Sequence, residues 1–70
     1  METDLLKIIE TAIRAEVQAK ELYLRGEQAA TTDEARALFR RLAGEEEGHR
    51  QLLLAQYQEM AGKAFTESDW

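Results

Sequence analysis

The chain has 70 residues and a formal net charge of −5, and it contains neither cysteine nor proline. A chain this short rarely builds a self-sufficient core without disulfides, a metal or a partner, and the lack of cysteine excludes disulfides and thiolate-bound metals. The acidic balance argues against nucleic acid as a partner, and the sequence contains neither a signal peptide nor the ~20 apolar residues of a membrane span, so the cytoplasm is the expected compartment.

The first predicted helix covers about residues 3–30, in a sequence rich in the residues that helices prefer. Thr3 or Asp4 is suited to cap its N-terminus. Apolar residues recur there at alternating steps of four and three, as in antiparallel bundles. This stripe consists of Leu5, Ile9, Ala12, Ala19, Tyr23, Gly26 and Ala30. Glu16 occupies its middle. The apolar face is widened by Ile13, Val17 and Leu24.

The second predicted helix covers about residues 33–61, and either Thr31 or Thr32 can cap it. Its stripe consists of Ala35, Leu38, Phe39, Leu42, Glu46, His49, Leu53, Gln56, Tyr57 and Met60. Gly62 is a natural C-terminal stop, which leaves residues 62–70 as a short tail. Because the connection between the helices is only a few residues long, they are expected to fold back antiparallel.

Three polar residues interrupt the apolar stripes: Glu16 in the first helix, and Glu46 and His49 in the second. Carboxylates are seldom fully buried unless they are paired or bound to metal. Glu16 lies about as far before the turn as Glu46 lies after it, and His49 is roughly one helical turn (~5.4 Å) further on. The three side chains should therefore share one layer of the hairpin. Glu46 is the candidate bridging ligand, because a carboxylate can bridge two ions, with Glu16 and His49 as terminal ligands.

A two-helix hairpin has a broad apolar side that its own chain cannot cover. Two hairpins packed face to face would form a four-helix bundle and double the ligand set around a two-fold axis. The resulting four Glu and two His are the ligand set of bundle di-iron sites. The predicted fold is thus all-α, an antiparallel hairpin that forms a homodimer or a larger even-numbered assembly. Iron is the expected metal, and Mn(II) and Zn(II) also suit these ligands.

The chain resembles the ferritin-like superfamily, specifically the rubrerythrin branch and the related encapsulated ferritins. The resemblance covers about residues 8–57 and is carried by EVQAKELY, which begins at Glu16, and by LAGEEEGH, which ends at His49. It implies a di-iron ferroxidase, which oxidises Fe(II) with dioxygen or peroxide in iron handling or oxidative defence. Glu16, Glu46 and His49 would be its catalytic ligands. It further implies that Tyr23 orients a ligand carboxylate through a hydrogen bond.

The chain also departs from these relatives. Rubrerythrins typically have four helices in one chain and a cysteine-ligated rubredoxin iron, so a rubredoxin-dependent peroxidase would lack its electron relay here. Encapsulated ferritins share the two-helix form, but the tail FTESDW does not match a peptide that docks in a nanocompartment shell. Encapsulation and a longer four-helix parent protein both stay open. A metal-stapled or purely structural hairpin dimer without redox activity is the alternative. The carboxylates expected at the surface are Glu27, Glu45 and Glu47.

Overall fold

The structure, a computed structural model, describes residues 2–66 of the chain. Helix α1 spans Glu2–Ala29 and helix α2 spans Asp33–Ala61, and the two pack against each other as an antiparallel hairpin. No strand occurs within residues 2–66. The predicted all-α hairpin is therefore confirmed. The end of the predicted tail, which includes Trp70, lies outside the described residues.

The residues at both ends of α2 explain where this helix starts and stops. The Ala35 backbone N–H donates a hydrogen bond of 3.1 Å to the hydroxyl oxygen of Thr32, so Thr32 rather than Thr31 is the N-cap. At the other end, Gly62 adopts a left-handed conformation with φ of 74°, and its N–H donates to the Gln58 carbonyl. Glycine adopts this conformation without the steric cost that a Cβ would impose, which ends the helix.

The contact between the helices uses partly different residues from the predicted stripe. Ile13, rather than Ala12, is the centre of the α1 face, and its side chain is fully buried. It forms a small core with Ile9 and Tyr57, and Phe65 of the tail packs edge-on against the Tyr57 ring at a centroid distance of 5.1 Å. The α1 face that contacts α2 consists of Leu6, Ile9, Ile13, Glu16, Lys20, Tyr23 and Glu27.

A second apolar stripe lies one residue before the contact positions, and it faces away from the partner helix except at Gly26, which packs against Phe39. Because the helices are antiparallel, this shift points to the same side of the hairpin on both of them. We call this side the open face. Its large apolar side chains are exposed, with Ile8 at 64% and Leu52 at 72%. The large apolar residues of the open face are Leu5, Ile8, Leu22, Leu38 and Leu52.

Gly26 allows the two helices to approach each other near the turn. A Cβ added at this position would lie 2.7 Å from a ring carbon of Phe39. We expect Gly26→Ala to lower the free energy of unfolding by about 1–3 kcal/mol, the usual cost of overpacking, although alanine is the better helix former. Urea unfolding at matched protein concentration would measure this change.

Gly44 provides the matched control for that substitution, because a Cβ added there meets no atom within 4 Å. Gly44→Ala should instead raise the free energy of unfolding, by up to about 1 kcal/mol, through helix propensity alone. If both substitutions stabilise the protein, Phe39 does not pack tightly on Gly26 in solution.

Candidate metal centre

The structure brings Glu16 of α1 together with Glu46 and His49 of α2. One potential ligand atom from each residue lies within 4.8 Å of the others. His49 Nδ1 is 3.4 Å from Glu16 Oε2 and 3.9 Å from Glu46 Oε2. The helical spacing of Glu46 and His49 places both on one side of α2, and the hairpin register places Glu16 opposite them. The three residues predicted as metal ligands therefore share one layer, as expected.

The two carboxylates of this cluster are largely buried, whereas the imidazole is open to solvent. The Glu16 and Glu46 side chains are 22% and 19% exposed, and the His49 side chain is 56% exposed. Oε2 of Glu16 is buried and has no hydrogen-bond partner among the described residues, since its approach to His49 does not meet hydrogen-bond geometry. A buried acceptor without a partner is costly. Two carboxylates and one imidazole suit a divalent metal such as iron, so these residues fit a metal ion.

Proximity to Glu16 raises the pKa of the Glu46 carboxyl above its ordinary value of 4.5. The largest cause is a hydrogen bond with Glu16 that only the protonated form can donate, followed by burial and by repulsion between the two charges; His49 opposes the shift. The protonated form of Glu46 is therefore favoured relative to that of an isolated glutamate. A bound cation would compete with that proton.

We expect Glu46→Gln to stabilise the metal-free protein in a pH-dependent way. Because the folded-state pKa of Glu46 is raised, its protonation supports the fold fully below 4.5, and that support is lost as the pH rises through the folded-state pKa. The substituted amide keeps a donor for Glu16 and cannot ionise. In chelator-treated protein, the variant should therefore match the unaltered protein near about pH 4 and exceed it near about pH 7 in chemical unfolding.

The contribution of Glu47 to stability depends on pH in the opposite direction. The effect of Glu46 is therefore measured as the difference in unfolding free energy between the Glu46→Gln variant and the unaltered protein. Hydrogen bonds from Gln51 and then Lys20 lower the pKa of Glu47. Its contribution to stability is present above its ordinary pKa and is lost as the pH falls through the lowered value. This contribution is common to both proteins and cancels. A constant difference in stability across the pH range would show that the pKa of Glu46 is not raised in the folded protein.

Two carboxylates that were expected at the surface instead connect the helices. Glu47 accepts hydrogen bonds from Lys20 of α1 at 2.9 Å, from Arg50 at 3.1 Å and from Gln51 at 3.0 Å; we call these four residues the Glu47 cluster. Glu27 accepts a hydrogen bond of 2.7 Å from Arg40. In the sequence, both cross-helix pairs can be found as oppositely charged residues that lie at matching distances from the turn. Glu45 is exposed, as expected, in an ion pair with Arg41.

Tyr23 lies at the helix interface, where its ring stacks on Phe39 with a centroid distance of 6.5 Å. The antiparallel register of the hairpin places these two residues at the same level. Within residues 2–66 the Tyr23 hydroxyl makes no hydrogen bond to Glu16 or Glu46. The proposed role of Tyr23 in orienting a ligand carboxylate therefore stays a prediction.

An antiparallel helix pair that combines a glutamate from one helix with Glu-x-x-His from the other defines a ferritin-like helical protein. The family model for rubrerythrin matches residues 7–68, and the chain belongs to the rubrerythrin family. The match includes all three candidate ligands, and proteins of this family typically bind iron. Comparison with curated proteins gave no significant match, and comparison with solved structures gave none either. Neither helix of the described chain is long and apolar enough to cross a membrane.

Proposed function

We propose that the chain is a di-iron ferroxidase, whose metal centre is completed when two copies form a four-helix bundle. The observation that carries this proposal is the cluster of Glu16, Glu46 and His49, with its buried and unpartnered carboxylate oxygen. Three protein ligands are too few for two metal ions, and a second copy supplies the other three. The activity would serve iron handling or oxidative defence, in the cytoplasm or inside a protein shell.

The three residues have distinct roles in this proposal. Glu16 and His49 would hold metal as terminal ligands, and Glu46 would be the carboxylate shared by the two ions. A bound pair of Fe(II) ions supplies two electrons, which with two protons reduce hydrogen peroxide to two waters, or dioxygen to hydrogen peroxide, and leaves two Fe(III). The carboxylates balance the added positive charge. Because the raised pKa of Glu46 favours its protonated form, a metal ion would compete with that proton, so the affinity should rise with pH.

The open face supports a second copy of this chain as the partner. The stripe of α1 on this side contains only apolar residues and glycine from Leu5 to Ala29, at alternating steps of three and four, the spacing of helices that pack on other helices. Its large side chains, Leu5, Ile8 and Leu22, are exposed. Residues 2–66 contain no third helix that could cover this stripe. His49 shares the open face with Leu38 and Leu52, because these residues are about three turns and one turn away from it. Docking a second copy there would bury the imidazole next to the matching ligands of that copy.

The mass and the metal content of the native protein, measured before and after chelation, test the assembly. We expect a dimer or a larger even-numbered assembly that contains iron, and a lower thermal stability after chelation. Metal-free monomers in both conditions would exclude the shared centre.

Oxidation of bound Fe(II) tests the activity separately from the assembly. The protein is loaded with Fe(II) without oxygen and then mixed with air or with hydrogen peroxide. We expect Fe(III) absorbance in the near ultraviolet to develop faster than in protein-free buffer. A dimer that binds metal but does not accelerate oxidation would instead be a metal-stapled structural dimer.

A further inference from the structure

The Glu47 cluster lies beside the candidate metal layer, on the side of the hairpin away from the open face. Lys20 follows Glu16 by one helical turn, and Glu47 directly follows Glu46. The Lys20 ammonium crosses from α1 to reach Oε1 of Glu47 at 2.9 Å. Both side chains are partly buried, and Glu47 is fixed further by Arg50 and Gln51 on its own helix. The two helices are therefore connected by charge next to the residues that would bind metal.

At the level of Glu16 and Glu46, apolar packing contributes little to holding the two helices together. The core of Ile9, Ile13 and Tyr57 lies on the side of the layer that is remote from the turn. On the turn side, the nearest buried residue is Ala43, whose methyl group offers little apolar area, and the stack of Tyr23 on Phe39 lies about two turns further on. Between them, Glu16 and Glu46 repel each other whenever both are ionised.

We propose that Lys20 is a positioning residue for the metal centre. Its pair with Glu47 sets how far α1 stands from α2 and how α2 is rotated about its axis, so that Glu46 faces Glu16 before a metal arrives. Lys20 does not touch the metal in this scheme; it acts through Glu47, as groups behind a ligand shell fix the orientation of the ligands. The inference rests on the proposed metal site and assigns Lys20 to its preorganisation.

The test is Co(II) affinity, measured by titration of the visible absorbance of the bound ion under conditions where each protein is folded. Lys20→Met removes the charge and keeps an apolar stem of similar length. We expect it to raise the Co(II) dissociation constant about tenfold, in the range found for groups behind metal ligands. Lys20→Arg keeps the charge and should remain within about threefold of the unaltered protein, since arginine can also pair with a carboxylate.

Glu27→Gln is the matched control, because it removes another cross-helix ion pair, Glu27 with Arg40 at 2.7 Å, three turns away from Glu16. A half-exposed ion pair adds little to stability, so both variants should unfold at similar temperatures without metal. Glu27→Gln should leave the Co(II) dissociation constant within about twofold of that of the unaltered protein. If Lys20→Met acted only through a general loss of hairpin stability, Glu27→Gln would weaken binding as well. In a protein that already carries Glu47→Gln, adding Lys20→Met should raise the Co(II) dissociation constant by less than about a further twofold, since the Lys20–Glu47 pair is already broken.

The outcomes separate this inference from the proposed function. If Lys20→Met binds Co(II) as tightly as the unaltered protein, or if Glu27→Gln weakens binding equally, Lys20 has no positioning role and the metal site stands. If the unaltered protein binds no Co(II), the metal site itself is wrong, and the role of Lys20 is excluded with it.

Discussion

Replacing both Glu46 and His49 with alanine is expected to abolish metal binding and accelerated iron oxidation while leaving the hairpin folded. The two residues supply the bridging carboxylate and the imidazole of the proposed centre, so each shared centre loses four of its six ligands. Because groups behind a ligand shell already alter affinity by 10–100-fold, we expect loss of the ligands themselves to reduce the oxidation rate by at least about 100-fold.

Thermal unfolding separates this loss from simple misfolding. Metal at about 100 times its dissociation constant should stabilise the unaltered protein by about 2.7 kcal/mol, and it should not stabilise the double variant at all. Without metal, the variant should be at least as stable as the unaltered protein, because the substitution removes the repulsion between Glu16 and Glu46. Glu59→Ala, which removes an exposed carboxylate of α2, is the control and should behave like the unaltered protein. Equal stabilisation of all three proteins by metal would mean that the metal binds elsewhere.

Placing charge on the open face is expected to separate the proposed dimer into monomers. Ile8→Glu combined with Leu38→Glu puts one acid on each helix of this face, and the two-fold arrangement doubles them. Burying an unpaired carboxylate costs several kcal/mol. We therefore expect the dimer dissociation constant to rise by at least about 100-fold, which corresponds to about 2.8 kcal/mol. Sedimentation equilibrium over a range of protein concentrations measures this change directly.

Loss of the dimer should also remove the metal centre, although neither substitution changes a ligand. Fe(II) binding and oxidation by the double variant should fall together with its dimer fraction. Leu24→Glu provides the control, because Leu24 is an exposed leucine of α1 that lies outside the open face. It should remain a dimer with full activity. An Ile8/Leu38 variant that is monomeric yet oxidises iron normally would show that one hairpin suffices.

The hairpin and the candidate ligands were accessible from the sequence because each depends on local patterns. Thr32 and Gly62 sit at helix ends whose chemistry is encoded within a few residues. Glu16 and Glu46 lie at about equal distances from a short turn, so antiparallel packing places them opposite each other. The family was also predicted from these residues, and the match to the family model spans all of them.

The side of each helix that faces its partner was harder to predict. Two stripes with the same alternating steps overlap on α1, one through Ile13 and one through Ala12, and a shift of one residue exchanges them. Periodicity alone cannot say which stripe faces the other helix and which stays open. The Glu47 cluster was missed for a related reason. Lys20 and Glu47 look like surface charges in the sequence, and only the observed rotation of the helices shows that they face each other.

The unpartnered oxygen of Glu16 has a consequence for how this chain would respond to selection. In the absence of metal, Glu16 and Glu46 are a local frustration, since each weakens the fold that holds the other. Directed evolution for heat resistance in metal-depleted medium should therefore replace these two positions early. The same experiment in iron-rich medium should retain them, because metal binding then offsets their cost. Selection would thus retain Glu16 and Glu46 only in a medium that supplies the metal ion they bind.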